Sequence, residues 1–341
     1  MNFDTSQLDS LVTALPDPAM IVAEIGEVIC ANQPACSLLE VSPVGKHLTL
    51  ALRAPIVLQA VNDAIIKQTA SQVQHVVRAA IPRTLDVYVA PLGQHDGKTR
   101  IALIILRDLT YEQQLERMRA DFVANASHEL RTPLASISGF IETMQGAAKS
   151  DPKAQQQFLN VMKAQADRMS RLIDDLLSLS RIEINEHLAP SGNVNLADIV
   201  QRAKDLLATN SKDVGCAIRV NMPQRLDVVG DEGQLSQVVF NLIENALKYA
   251  ASGKFIDIEG IEQNGTVQLK VIDHGPGIAP QHVPRLTERF YRVSVQDSRM
   301  RGGTGLGLAI AKHIINRHRG KLLIESVVGQ GSQFSIYLPH A

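Results

Sequence analysis

Tryptophan is absent from this chain of 341 residues, and cysteine occurs only as Cys30, Cys36 and Cys216, with no C-x-x-C pair. Three scattered thiols exclude a disulfide framework and a zinc ribbon, and fit a reducing compartment. A basic excess is missing too. Lys+Arg of 34 against Asp+Glu of 35 leaves a net charge of −1, so the electrostatic footprint of direct nucleic-acid binding is not there. The longest strongly apolar run, Ile101 to Leu106, is far short of the roughly 20 residues that span a bilayer. The opening MNFDTSQLDS is acidic where a secretory signal is basic. These absences predict a cytoplasmic chain with no membrane span of its own, which meets either a cytoplasmic cue or a membrane-bound partner.

What is there is ordinary in bulk: 45% hydrophobic and 20% charged residues, a globular composition, at a length that calls for two to three domains. Residues 1–110 read as a small α/β module. Ala19 to Val22 and Gly26 to Cys30 look like short strands, and Leu85 to Pro91 and Arg100 to Leu106 like two more, with Gly93 to Gly97 as the hairpin loop between them. That order, and the Asp108-Leu109-Thr110 exit into a helix, resemble a PAS domain. Cys30, Cys36, His75 and His95 have no metal-ligand spacing among them.

Residues 111–187 turn helical. Phe158, Met162, Gln165, Met169, Leu172, Leu176 and Leu179 step 4-3-4-3-4-3, a heptad seam. In the preceding helix Leu115, Met118, Phe122, Ala126, Leu130, Leu134, Ile137, Ile141 and Met144 step 3-4-4-4-4-3-4-3, a stutter beside Pro133, which lacks a backbone donor. Joined at Gly146 to Pro152, the two make an antiparallel helical hairpin, and two hairpins make a four-helix bundle, so a homodimer is expected.

His128 falls on the stutter, six residues or about 600° around the helix from Phe122 and so well off the core stripe. An exposed imidazole can act as a nucleophile, and the adjoining Glu129 can take its ring proton. Thr132 lies one turn on, within reach of a water or phosphate near the ring. A lone histidine usually sits on a solvated face and does nothing more; the neighbours decide otherwise here. Ser127-His128-Glu129-Leu130-Arg131-Thr132-Pro133-Leu134 resembles the phosphoacceptor box of the HisKA-type sensor histidine kinases.

Residues 190–341 alternate helix and strand. Val194 to Thr209 and Gln234 to Tyr249 read as helices; Ile256 to Ile261, Val267 to Asp273, Leu322 to Glu325 and Gln333 to Leu338 read as strands, giving an α/β sandwich. A phosphate loop of the Walker type is excluded, because Gly93-x-x-x-Gly97-Lys98-Thr99 has three intervening residues and no helix after it. Asn241, Asn245 and Lys248 share one helix face, and two amides with an ammonium suit Mg²⁺ and phosphate oxygens. Asp273-His274-Gly275-Pro276-Gly277 puts a carboxylate that can accept an adenine amino group beside glycines that let the backbone approach a ring. Gly302-Gly303-Thr304-Gly305-Leu306-Gly307 opens a helix and offers free amides to phosphate, and 293–301 is a natural lid.

In this order the three elements are similar to the N box and two glycine boxes of the ATP-binding fold shared by gyrase, Hsp90, histidine kinases and MutL. The run Phe290-Tyr291-Arg292-Val293 with the last glycine box is most similar to the phosphate-regulon group of sensor kinases. The resemblance implies a sensor histidine kinase that uses ATP and Mg²⁺, phosphorylates His128, and passes the phosphoryl group to an aspartate on the receiver domain of a cognate response regulator. It also implies regulator phosphatase activity, with Thr132 placing the water, and phosphate-starvation signalling. It carries nucleotide contact to Asn241, Asn245, Lys248, Tyr249, Asp273, Gly275, Gly277, Arg292, Gly303, Thr304, Gly305, Leu306 and Gly307, with Asn245 on the metal, Asp273 on adenine and Arg292 on the triphosphate. Two other readings use the same fold: an ATPase clamp that hydrolyses without phosphohistidine, against which the His128 box stands, and a non-catalytic scaffold, against which the intact Asn245, Asp273 and glycine boxes stand.

Overall fold

The computed structural model describes residues 2–77, 82–185, 188–294 and 303–341, with the backbone alone at 119, 250 and 251. It divides into two compact units, Met1–Val123 and Ala124–Ala341.

The first unit strings together β1 (Asn2–Phe3), α1 (Thr5–Thr13), β2 (Ala19–Ala23), β3 (Val28–Ala31), α2 (Gln33–Leu39), α3 (Leu48–Ala51), α4 (Pro55–Lys67), β4 (Ser71–Val77), β5 (Arg83–His95) and β6 (Thr99–Asp108). The sheet order is β1-β5-β6-β2-β3, with β4 also on β5. Strand alternation sends Met20, Val22, Ile104 and Leu106 to one face, packed with Leu48, Val57 and Val61 of α3 and α4. It sends Ile21, Cys30 and Ile101 to the other, under Leu8 and Val12 of α1. That cover was not foreseen, although its start is written in Asp4 and Gln7, which form a reciprocal capping box. β4 was also missed. The expected loop at Gly93 to Gly97 is shorter than the reading: β5 passes a register shift at Pro91/Gly93 and continues to His95. Asp96 and Gly97, both left-handed, make the turn.

In the second unit α5 (Thr110–Gln145), which begins before the boundary, and α6 (Pro152–Ile184) form the hairpin, with Phe140 stacked on Phe158 at 5.2 Å between ring centroids. Asp151 caps α6 by accepting from the amides of Lys153 and Ala154, and Pro152 fits the first turn. The seam read in α6 holds: Leu172 and Leu179 are buried and the other five positions are half-buried. In α5 the stripe is less covered, since Met118, Leu134 and Ile141 are exposed. The helix continues unbroken through Pro133.

The rest is a two-layer α/β sandwich. Its sheet runs β12 (Lys321–Val327), β13 (Gly331–Pro339), β11 (Thr266–Asp273), β10 (Phe255–Gln263), β8 (Ala217–Asn221), antiparallel except for β8 on β10. One face packs on α9 (Glu232–Ala250) and α10 (Gly307–Arg317), with α7 (Leu196–Leu206) against α9, and Leu235, Val239, Ile243, Ile314, Ile258, Leu269 and Ile336 are all buried. Each such side chain contributes about 1.5–3 kcal/mol by burial. The helix expected over Val194 to Thr209 is corrected. Val194 belongs to β7 (Asn193–Asn195), which pairs with β9 (Asp227–Val229), and the Asn195 side chain caps α7. α7 stops at Leu206, and α8 (Ala208–Asp213) follows. Among the described residues no helix is long and apolar enough to cross a membrane.

One buried side chain ties the first unit's cover to its sheet. Asn32 accepts from the amides of Ala19 and Ala35 and donates to the carbonyls of Val12, Leu15 and Asp17. Asn32→Ala should destabilise this unit by about 2–4 kcal/mol in urea denaturation, through buried groups left without partners. Asn32→Asp should do no better, because a carboxylate cannot donate to three carbonyls.

Candidate active site

α9 is set by its N-terminus. Asp231 accepts from the Gln234 amide at 2.9 Å, and its own amide donates to Nε2 of buried His318 at 2.9 Å. His318 Nδ1 therefore carries the proton and donates to the Ile314 carbonyl at 2.8 Å, and burial holds its pKa below the usual value. Fixed this way, α9 turns Asn241, Asn245, Lys248 and Tyr249 onto the wall of a cavity of about 550 Å³. Lys248 pairs with Glu244 at 2.8 Å, a partner one turn back that the sequence reading had not supplied.

Asp273 ends β11 on the same wall and is 6% exposed. Burial pushes its pKa up, and hydrogen bonds from the Gly275 and Ser332 amides to Oδ1, at 3.0 and 3.2 Å, oppose that rise. Gly277 (φ +67°) follows, and a Cβ there would lie 2.1 Å from the Val327 carbonyl oxygen, so only glycine brings this loop down onto the sheet. Across the cavity stand Gly303, Thr304, Gly305 and Gly307, the last opening α10. Gly305 (φ +76°) accepts from the amide of Phe290, itself left-handed at φ +63°. The main chain of Phe290 clamps this loop, while Tyr291 and Arg292 line the cavity.

Of the residues expected at the nucleotide, Gly275 and Leu306 do not line the cavity: Gly275 supports Asp273, and Leu306 is buried ahead of α10. The lid expected over 293–301 lies from 295 onward outside the described residues, as does Gly302. Among the described residues there is no cluster of three or more His, Cys, Asp or Glu able to hold a metal. A cation here would rest on Asn245 with phosphate oxygens and water.

Arg292 joins this cavity to the hairpin. Its NH2 donates to the Gly303 carbonyl at 2.8 Å and to Glu129 Oε2 at 3.0 Å, and Arg168 of α6 meets the same oxygen at 2.8 Å. Arg292 Nε is buried with no acceptor among the described residues, a donor suited to an anionic oxygen entering the cavity. His128 and Thr132 are exposed on α5 and do not line the cavity, and the Thr132 hydroxyl donates back to the His128 carbonyl at 3.2 Å.

Sequence reasoning missed the part played by α6. Arg171, Asp174 and Asp175 form part of the cavity wall, and Thr304 donates its hydroxyl to Asp175 Oδ2 at 2.7 Å. Burial raises the Asp175 pKa most, against the Thr304 hydrogen bond. Ser332 and Phe334 of β13 were missed too. Their only signal was a serine at an inward position of an alternating strand.

A carboxyl with a raised folded pKa binds its proton more tightly in the folded protein than in the unfolded chain. Stability is therefore lost as pH rises from the ordinary carboxylate range through the raised value. Asp273→Asn keeps the oxygen that accepts from Gly275 and Ser332. It should raise the melting temperature of the C-terminal transition at pH 7.5, with the gain fading toward pH 4, as thermal denaturation across pH would show.

Residues 230–341 match the family model described as histidine kinase-, DNA gyrase B-, and HSP90-like ATPase, and residues 118–185 match the His Kinase A (phospho-acceptor) domain. The chain is 38% identical over 239 residues to the phosphate regulon sensor protein PhoR of Pseudomonas aeruginosa, covering 70% of this chain and 54% of that protein. It is 30% identical over 344 residues to a sensor protein kinase WalK of Staphylococcus aureus, covering 98% and 80%. It spans only 55% of another WalK, from Staphylococcus saprophyticus, so it is little more than half the length of several relatives. Histidine kinase ThkA, solved in complex with response regulator protein TrrA, shares the fold at a TM-score of 0.53 and 19% identity, over 97% of this chain and 98% of that one.

Proposed function

The chain belongs to the two-component sensor histidine kinases, and from that we propose that it phosphorylates its own His128 from ATP and hands the phosphoryl group to an aspartate of a response regulator. The observation that carries the reading is the cavity itself. A buried carboxylate at Asp273, an amide pair at Asn241 and Asn245, and a glycine-lined helix start converge on it, with Arg292 Nε lacking an acceptor among the described residues. Asp273 suits the adenine amino group, the amides of 303–307 and Arg292 suit the phosphates, and Asn245 suits Mg²⁺, which would neutralise phosphate charge.

In the transfer a ring nitrogen of His128 bonds to the γ-phosphorus as the bond to the ADP oxygen breaks. Glu129 takes the proton from the other ring nitrogen. Glu129 and Arg292 hold each other at 3.0 Å, so this chemistry needs that pair parted. The regulator's aspartate then takes the phosphoryl group from nitrogen, and Thr132 places a water for the later hydrolysis of the aspartyl phosphate. ThkA was solved with a response regulator, which supports a partner of that kind here.

We read 1–110 as a PAS-like sensor, 111–187 as the dimerisation and phosphotransfer domain, and 190–341 as the catalytic domain. The sheet order β4-β5-β6-β2-β3, with α2 to α4 between its second and third strands in sequence after α1, supports the first. Exposed Leu134, Ile141, Ile173 and Leu177 on the hairpin support a homodimer. The likeness to PhoR supports a phosphate-starvation input.

Incubation with γ-labelled ATP should give acid-labile, base-stable label on the wild-type chain. His128→Ala should carry none, and Asn245→Ala should lose at least about 100-fold of the labelling rate while remaining dimeric, by analogy with removal of a positioned transition-state group. Undiminished label on His128→Ala overturns the reading.

A further inference from the structure

Registers in the C-terminal sheet place three polar side chains in one row: Asp273 on β11 faces Ser332 on β13, which faces Ser326 on β12. Residues directly opposite across a ladder share a face and touch. The Ser326 and Ser332 hydroxyls lie 2.9 Å apart, and the Ser332 amide donates to Asp273 Oδ1 at 3.2 Å. At the far end the Ile278 amide donates to Ser326 Oγ at 2.8 Å. Ser326 Oγ also lies 2.9 Å from the Gly331 carbonyl, to which it can donate. Asp273, Gly277, Ile278 and Ser332 all line the cavity; Ser326 does not.

The segment 276–278 lies on the β12–β13 turn. The Gly329 amide donates to the Pro276 carbonyl at 2.8 Å, and Gly277 lies so close to the Val327 carbonyl that no Cβ fits between. Both are main-chain contacts that any sequence able to form the turn would make. Ser326 adds a side-chain contact, and it touches both the loop and the serine beside the carboxylate. Ser326 Oγ accepts from the Ile278 amide, gives its one proton to the Gly331 carbonyl, and is placed to accept the Ser332 hydroxyl. One oxygen atom therefore joins the loop, the turn and the serine whose amide supports the carboxylate.

We propose that Ser326 is a positioning residue of the adenine pocket: its hydroxyl fixes the Gly277–Ile278 backbone against the Ser332–Asp273 pair, and so sets nucleotide affinity and the preference for adenine over guanine. This rests on reading the cavity as an ATP site. A hydroxyl that merely strengthened the β12–β13 turn through Gly331 would change melting temperature and leave purine selectivity alone.

Ser326→Val and Ser326→Thr are close in shape and differ in the hydroxyl, and both residues suit a strand. In the full chain Ser326→Val should raise KM for ATP about tenfold, the effect of roughly one net hydrogen bond, with kcat for autophosphorylation within about twofold of wild type. Its ATP-over-GTP discrimination should narrow, and the Ile278 amide should exchange about tenfold faster in nucleotide-free protein. Ser326→Thr should restore all three. If Ser326→Val does not melt cooperatively, Ser326→Ala answers the same question. Valine and threonine variants with equal KM, equal discrimination and equal Ile278 exchange overturn the proposal while the kinase reading stands. A wild-type chain that neither binds ATP nor becomes labelled overturns that reading, and this proposal with it.

Discussion

An acid 6% exposed at the end of a strand is the constraint around which the C-terminal sandwich is arranged. Asp273 sits where apolar β11 ends, and taking a carboxylate out of water costs several kcal/mol unless donors replace the water. Two amides supply Oδ1, one from the turn that follows and one from the neighbouring strand. Both depend on main-chain geometry: Gly275 must turn back, and β13 must run in the register that pairs Asp273 with Ser332. That register also aligns Leu269 with Ile336 and Val271 with Phe334, so the sheet's apolar pairing and the support of its acid are one arrangement.

Charge also governs the joint between the hairpin and the sandwich within the second unit. Arg292 and Arg168 converge on a single oxygen of Glu129, and all three side chains are largely withdrawn from solvent. Two guanidiniums around one carboxylate leave an excess positive charge, so the cluster gains from any further anion nearby. Further along, Ser178 bonds Gln237 at 3.1 Å and Arg289 pairs with Glu183, beside buried Leu179 and Ile182 of α6. These polar contacts contribute geometry more than net stability, since each ion gives up hydration to make them.

How much of this could be read beforehand follows from the range of each interaction. The α6 seam, the capped start at Asp151-Pro152, the strand at Val267 to Asp273 and the glycine boxes are local, and their signal lies within a few residues. Val194 misled because it continues the apolar period of α7. A pairing with β9, more than 30 residues away, claims it for a strand, and nothing near it announces that. α1 was overlooked for the opposite reason: its capping box was legible, but an acidic N-terminus was weighed only as a leader segment. For the candidate site, side chains on α9 and in the glycine loops were legible through spacing. Arg168, Asp175 and Ser332 were not, because each becomes part of the site only through a contact some 39, 129 or 59 residues away.

Those distant contacts determine what the cavity can accept. A donor cannot serve two acceptors at full strength. The Thr304 hydroxyl is given to Asp175, and the two N–H bonds of one Arg292 terminal nitrogen are given to Glu129 and the Gly303 carbonyl. Phosphate oxygens that approach Thr304 or that nitrogen enter by exchange, whereas Arg292 Nε, with no acceptor among the described residues, can take one directly. Losing Arg292 would leave Glu129 still paired with Arg168, which lowers the cost of the exchange on the hairpin side. Among the described residues Asp175 receives no hydroxyl other than that of Thr304, and burial raises its pKa against that hydrogen bond. The exchange is thus a small difference between large terms. In such a balance a shift of one or two hydrogen bonds, about 1–3 kcal/mol, moves the population by roughly five- to 150-fold, which is the range in which a sensor can act.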